Sequence, residues 1–135
     1  MITERLKTDS ENYENSIARA AELLKNGGTV AIPTETVYGL AASAYDESAV
    51  KKVFEAKGRP QDNPLIVHIA EFEMLPSLVR EIPESAERLT RRYWPGPLTV
   101  VLKKSDRIPL TTSAGLDTVG VRTPSHPVIR EIIRR

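Results

Sequence analysis

Residues 28–40 read GTVAIPTETVYGL and contain the change from apolar to polar sequence on which the fold assignment depends. The apolar, β-branched beginning, residues 29–32, predicts a short buried strand that ends at Pro33. The polar residues after it predict a turn-like segment from Pro33 to Gly39, at the end of a strand, where α/β proteins place binding groups. Gly39 would let a bound molecule approach the backbone closely.

The polar segment has two interpretations. Alternation along the chain would place Thr34, Thr36 and Tyr38 on one side and Glu35 and Val37 on the other. Hydroxyl groups on one side suit a small polar substrate. Alternatively, the threonine hydroxyls satisfy the backbone of an ordinary turn. The residues alone leave both interpretations open.

Helices and strands are predicted on both sides of this segment. Ile17, Ala20, Ala21 and Leu24 recur at helical spacing, and the glycines at 27–28 end that helix. The further predicted elements are helices over 47–57 (capped by Asp46), 72–80 and 83–93, strands over 65–69, 98–102 and 118–122, and a last helix near Pro127 that Ser125 or His126 caps. This mixture predicts an α/β (α+β) domain with a mixed β-sheet flanked by helices.

The composition limits the class of protein. The chain has 135 residues, which fits a single domain, and its 40% hydrophobic and 27% charged residues exclude a disordered or collagen-like chain. It contains no cysteine, which excludes disulfide scaffolds, thiolate catalysis and cysteine-ligated metal sites. No apolar run approaches the length of a membrane span, and the polar N-terminus lacks a secretory signal, so we expect a cytoplasmic protein.

The charge is unevenly distributed. Residues 1–50 hold four Lys or Arg and eight Asp or Glu, which gives a net charge of −4. Residues 51–135 hold fifteen Lys or Arg and ten Asp or Glu, which gives a net charge of +5. A basic second half suits a polyanionic ligand such as a nucleotide or RNA, although ordinary solvated surface charge explains it as well.

A cationic, proline-stiffened segment follows the second predicted helix. Residues 57–64 read KGRPQDNP. Lys57 and Arg59 could hold phosphates, and Asn63 lies in the same rigid loop. The dipole at the end of a helix explains Lys57 equally well, but not the loop. The segment matches neither the P-loop nor the dinucleotide-binding pattern.

Two further candidates lie in predicted strands. His68 is a lone histidine, and no second histidine at metal-ligand spacing accompanies it, so no metal site is predicted. Such a histidine is commonly a hydrogen-bonded core residue. Thr118, Gly120 and Arg122 alternate onto one face of their strand. On an inward face Arg122 would need an anion: a substrate carboxylate, a phosphate, or an acidic side chain of the fold.

Together the motifs resemble a known family. They are GTVAIPTETVYGL at 28–40, KGRP at 57–60, NPL at 63–65 with His68, YWPGPLT at 93–99, and VGVR at 119–122 with Pro124. In this order they resemble the YrdC-type family, the threonylcarbamoyl-AMP synthases, over nearly the whole chain. The resemblance implies a single YrdC-like domain over residues 1–135, with a twisted sheet and a concave, positively charged face.

The resemblance also implies a reaction. Members of this family make threonylcarbamoyl-AMP from L-threonine, bicarbonate or CO2, and ATP with Mg2+, and they release pyrophosphate. Partner proteins then transfer the threonylcarbamoyl group to tRNA, and family members bind RNA. The alternatives are a non-catalytic RNA-binding member of the same fold, or carbamoyl-adenylate chemistry as in hydrogenase maturation enzymes. The latter are long chains with zinc-finger cysteines, which this sequence lacks.

The resemblance assigns roles to individual residues. It implies threonine contacts and ATP contacts but no nucleophilic residue, so that catalysis would depend on positioning and electrostatics. The implied threonine contacts are Thr36, His68 and Arg122, and the implied ATP contacts are Lys57, Arg59, Asn63 and Thr118.

The end of the chain departs from the family pattern. Family members continue with a Ser-Ala-Asn segment and further strands that complete the nucleotide site, and this sequence contains no Ser-Ala-Asn. Its last helix, residues 128–135, runs to the end without a stop signal. We therefore expect that the C-terminal part of the domain, including part of the ATP site, is missing from these 135 residues.

Overall fold

The computed structural model describes residues 2–58, 60 and 64–135. The elements, in chain order, are α1 (Tyr13–Lys25), β1 (Val30–Pro33), β2 (Tyr38–Ala41), α2 (Glu47–Lys57), β3 (Ile66–His68), a 3-10 helix (Phe72–Ser77), α3 (Glu84–Tyr93), β4 (Val100–Lys103), β5 (Thr118–Arg122) and α4 (Pro127–Arg134). The strands form a two-stranded and a three-stranded sheet. The predicted mixed α/β class is confirmed.

The segment from Gly28 to Leu40 folds largely as a β-hairpin. Strands β1 and β2 are antiparallel, and the last pair before the turn joins Pro33 to Tyr38. The backbone N–H and the hydroxyl of Thr34 both donate to the carbonyl of Val37, at 3.3 and 2.5 Å. The prediction of a turn as far as Gly39 was therefore wrong at its last two residues, Tyr38 and Gly39, which belong to β2.

The three-stranded sheet has the order β3-β5-β4. Strand β3 runs parallel to β5, and β4 runs antiparallel to it. Val119 and Val121 of β5 are 2% and 0% exposed and face the core. Thr118, Gly120 and Arg122 lie on the opposite, partly exposed face. The predicted alternation is confirmed, and the valines rather than Arg122 occupy the inward positions.

Two apolar clusters hold the fold together. The first packs beneath the three-stranded sheet and consists of Val67, Ile69, Leu75, Leu78, Val79, Val100, Ile108, Val119 and Val121. The second joins α1 and α4 to the hairpin and consists of Ile17, Ala20, Ala21, Ile32, Val128, Ile129 and Ile132. Helix α4 therefore buries its apolar side against α1 and β1, beside the chain that leaves β5.

The helix ends follow the sequence signals closely. Asp46 accepts a hydrogen bond from the backbone N–H of Ala49 at 3.1 Å, and Gly58 ends α2 in a left-handed conformation with φ 62°. His126, rather than Ser125, caps α4, since its Nδ1 accepts from the N–H of Val128 at 3.2 Å.

Several predicted boundaries were wrong. Strand β3 is shorter than 65–69, the helix from Phe72 ends at Ser77, α3 begins after Pro83, and β4 begins two residues later than residue 98. In the part of the chain that the structure describes, the helices are too short or too polar to span a membrane.

Candidate functional site

The open face of the three-stranded sheet brings two of the predicted threonine contacts together. His68 of β3 and Arg122 of β5 are direct partners in the parallel register. Side chains of paired residues lie on the same face of a sheet. The neighbouring pair on this face is Ile66 and Gly120, so no β-carbon separates Thr118 from Arg122 along β5. This face therefore combines an imidazole, a guanidinium and exposed backbone.

Arg122 is oriented by a threonine that precedes β4. Its Nε donates to Oγ1 of Thr99 at 2.9 Å. Among the residues that the structure describes, no hydrogen bond or ion pair occupies its two terminal nitrogens. A half-buried guanidinium with free terminal N–H groups is suited to bidentate binding of a carboxylate or a phosphate.

The surroundings of His68 favour its neutral imidazole form. Its Nδ1 lies 3.2 Å from the carbonyl of Ile66, which can only accept, so Nδ1 carries the proton and Nε2 is left as an acceptor. Burial lowers the pKa of His68, and the charge of Arg122 lowers it further. The bond to Ile66 and the charge of Glu35 oppose this, but the net pKa lies below the ordinary value of 6.5.

The hairpin turn reaches the same end of the sheet through Glu35. Oε1 of Glu35 accepts hydrogen bonds from the backbone N–H and the hydroxyl of Ser125, at 2.6 and 3.2 Å. Ser125 follows β5 by three residues. Thr36, the third predicted threonine contact, is exposed within this turn, and its N–H donates weakly to Oγ1 of Thr34 at 3.4 Å.

Unlike His68 and Arg122, the predicted ATP contacts are not brought together among the described residues. Thr118 lies on the open face at the start of β5, paired with Lys103. Lys57 is the exposed last residue of α2, and within the described part of the chain no hydrogen bond or ion pair joins it to the other candidates. Arg59 and Asn63 lie outside the described residues.

A cavity of about 570 Å³ adjoins His68. Its walls come from the hairpin, α2, β3 and α4, and they are mainly apolar; Ile32, Val53, Val67 and Ile129 are typical members. His68 and Thr34 are among its polar lining residues. Lys25 and Arg135 also line the cavity, whereas Arg122 does not.

Three residues of this arrangement were not singled out from the sequence. The sequence placed Thr99 within a family motif and Glu35 within the polar turn, without a role for either side chain. Ser125 was considered only as a possible helix cap. The signal for Thr99 was its place in the YWPGPLT motif. The partners Glu35 and Ser125 are 90 residues apart, so no local pattern could have joined them.

The fold defines a small α/β domain whose three-stranded sheet has one open, polar face. The family model described as "Telomere recombination", which covers the Sua5, YciO and YrdC proteins, matches residues 22–135. The chain belongs to this Sua5–YciO–YrdC family, and the predicted membership is confirmed.

Individual relatives are similar over most of this chain. The threonylcarbamoyl-AMP synthase of Pyrococcus abyssi is 58% identical over 120 residues, which cover 89% of this chain and 35% of that protein. The threonylcarbamoyl-AMP synthase of Bacillus subtilis is 49% identical over 134 residues, covering 98% of this chain and 38% of the relative. This chain thus spans little more than a third of these two relatives.

A solved structure is similar in fold as well. The crystal structure of P. abyssi Sua5 complexed with L-threonine has a TM-score of 0.88 and 55% sequence identity. The similarity covers 97% of this chain and 37% of the Sua5 chain. The architecture described above is therefore the one found in this part of a threonine-binding protein.

Proposed function

We propose that this chain provides the threonine-binding part of a threonylcarbamoyl-AMP synthase, which makes threonylcarbamoyl-AMP from L-threonine, bicarbonate or CO2, and ATP. The observation that carries the proposal is the His68–Arg122 pair on the open sheet face, with the terminal nitrogens of Arg122 unpaired among the described residues. The names of the relatives, and the existence of an L-threonine complex of P. abyssi Sua5, support the same function.

Each part of threonine has a matching group at this site. The guanidinium of Arg122 would bind the carboxylate through two N–H groups. Nε2 of the neutral His68 would accept a hydrogen bond from the amine or the hydroxyl group. The hydroxyl of Thr36 would add a further contact from the hairpin turn. A neutral His68 matters, since an imidazolium beside Arg122 would place two positive charges together.

The reaction then requires positioning more than covalent help from the protein. The threonine amine and bicarbonate give a carbamate and water. A carbamate oxygen forms a bond to the α-phosphorus of ATP, the bond to the β-phosphate bridge breaks, and pyrophosphate leaves. Fixing the threonine carboxylate holds the carbamate in place for this attack, which is the contribution expected of Arg122.

The ATP half of the site is proposed from the resemblance. Lys57 and Arg59 would offset phosphate charge, while Asn63 and Thr118 would contact the nucleotide. The described residues contain no group of three or more acidic or histidine side chains that could hold a metal ion. Mg2+ would therefore be held mainly by phosphate oxygens of ATP, as is usual for this ion.

The product would serve tRNA modification, in which partner proteins transfer the threonylcarbamoyl group. RNA binding without catalysis is the second candidate, favoured by the basic second half of the chain. However, many arginines there are paired with glutamates, which reduces the field available to RNA. Among the described residues the pairs are Arg88–Glu84, Arg91–Glu87, Arg130–Glu71, Arg134–Glu71, Arg134–Glu131 and Arg135–Glu14.

Pyrophosphate release tests the proposed function. We would assay the full product of the gene, and this 135-residue chain beside it, with ATP, Mg2+ and bicarbonate, with and without L-threonine. Release that depends on L-threonine is the expected result for the full product. No dependence on threonine, together with salt-sensitive binding of RNA, would favour the non-catalytic candidate instead.

A further inference from the structure

Glu35 connects two segments that are far apart in sequence. Its Oε1 accepts both the backbone N–H and the hydroxyl of Ser125. One partner segment is the hairpin turn, and the other is the loop between β5 and α4. Glu35 and Ser125 are both exposed, so neither contributes much to the apolar clusters. The contact therefore fixes the relative position of two surface segments rather than adding to the core.

The hairpin turn behaves as one unit in this contact. Thr34 closes it by donating twice to the carbonyl of Val37, and the N–H of Thr36 donates back to the Thr34 hydroxyl. A turn closed by its own bonds transmits a displacement of Glu35 to Thr36, the next residue. The position of the Thr36 hydroxyl thus depends on where Glu35 is held.

Among the described residues, Glu35 bonds to Ser125 and forms no ion pair with Arg122. Partial burial raises the pKa of the Glu35 carboxyl, but hydrogen bonds from Ser125 and from its own N–H, with the charge of Arg122, lower it overall. Glu35 is therefore ionised at neutral pH. Among the described residues no ion pair joins it to Arg122, whose terminal nitrogens stay free for a substrate.

We propose that Glu35 is a positioning residue of the threonine site, whose carboxylate holds the turn that carries Thr36 against the loop that follows Arg122. This inference rests on the proposed function. Glu35 acts through Thr36 and does not touch the substrate. Its removal should therefore weaken threonine binding while leaving the nucleotide step intact.

Two substitutions separate positioning from general damage. We would measure kcat and the KM values for threonine and ATP in the full gene product carrying Glu35→Ala or Glu35→Gln. Glu35→Ala should raise the KM for threonine about fivefold, with kcat and the KM for ATP changed less than about twofold. Glu35→Gln should restore the KM for threonine to within about twofold of the unchanged protein, since its amide oxygen can accept the same two bonds.

Matched controls use the same residue types. Glu84→Ala removes another exposed glutamate, paired only with Arg88 in the described part of the chain, and should leave all three constants unchanged. Ser125→Ala removes the longer 3.2 Å bond but keeps the backbone N–H, so its effect should be smaller than that of Glu35→Ala. Hydrogen exchange of the Ser125 amide, measured by NMR, should become faster in Glu35→Ala and not in Glu84→Ala.

The outcomes distinguish the two proposals. An unchanged KM for threonine in Glu35→Ala, with normal turnover in the unsubstituted protein, would overturn the role of Glu35 alone. A lower kcat together with similar increases in both KM values, not rescued by Glu35→Gln, would indicate general damage and would also overturn this role. A lack of threonine-dependent turnover in the unsubstituted protein would overturn the proposed function, and the role of Glu35 with it.

Discussion

The two faces of β5 differ in what their residues can do. Val119 and Val121 are almost fully buried and lie in the cluster beneath the sheet. Thr118, Gly120 and Arg122 alternate with them and lie on the open face. A single strand thus separates the residues that hold the sheet from those that can bind a ligand. Substitutions at adjacent positions should therefore affect stability and binding independently.

Arg122→Ala should give the largest change on the open face. Loss of a charge-assisted carboxylate contact should raise the KM for threonine about 50-fold in the full gene product, with little change in the KM for ATP. The free energy of unfolding should change by less than about 0.5 kcal/mol, because no buried partner loses an ion pair. Steady-state kinetics measures the two KM values, and urea unfolding measures the free energy of unfolding. Arg59→Ala should instead raise the KM for ATP and leave the KM for threonine nearly unchanged. If Arg122→Ala leaves the KM for threonine unchanged, Arg122 does not bind threonine.

Val121→Ala should give the largest change on the buried face. Val121 is fully buried, and removal of two methyl groups should lower the free energy of unfolding by about 2 kcal/mol. The matched control is Val101→Ala on the open face, where the side chain is 64% exposed and the loss should stay below about 0.5 kcal/mol. Urea unfolding of this chain measures the free energy of unfolding of the Val121→Ala and Val101→Ala variants. Equal losses would contradict the division between the faces.

Thr99→Val tests how Arg122 is oriented. Valine keeps the shape of the threonine side chain but removes the oxygen that accepts from Nε of Arg122. The guanidinium would remain charged but less fixed, so the KM for threonine should rise about threefold to fivefold. Thr90→Val is unsuitable as a control because Thr90 is buried; Thr8→Val, at an exposed position, serves instead. The same effect from both variants would exclude a specific role for Thr99.

The pH dependence should be the smallest effect. The lowered pKa of His68 predicts that the KM for threonine is constant near neutral pH and rises only below 6.5, as protonation adds a charge beside Arg122. The rise in the KM for threonine should appear only below pH 6.5, and it should be absent in His68→Gln, which is measured beside the unsubstituted protein. The charge of Glu35 raises the pKa of His68, so Glu35→Ala should move the rise to lower pH. A rise that starts above 6.5 would contradict the lowered pKa.

Much of the fold follows from local sequence signals. The strand over 118–122 and the helix over 47–57 match the structure at both ends, because alternation, a capping Asp46 and a terminal Gly58 all act within a few residues. Strand β2 was missed for the opposite reason. Its four residues become a strand by pairing with β1, and their own sequence resembles the turn before them.

The candidate site was predictable only in part. The residue types and motifs pointed to His68 and Arg122, and the parallel register places them side by side. Which face of β5 is covered depends on where distant segments pack, among them the 3-10 helix, and no local pattern gives that packing. Nor could the sequence join Glu35 to Ser125, since that contact depends on the path of the whole chain between them.

The charges around Arg122 have a consequence for selectivity among amino acids. On this part of the open face Arg122 is the charged partner available to a carboxylate, His68 is neutral, and Glu35 contributes a negative charge nearby. An amino acid with a single carboxylate satisfies Arg122. Aspartate or glutamate would bring a second carboxylate into the field of Glu35. The same arrangement that leaves Arg122 unpaired would thus exclude acidic amino acids by charge before their size is considered.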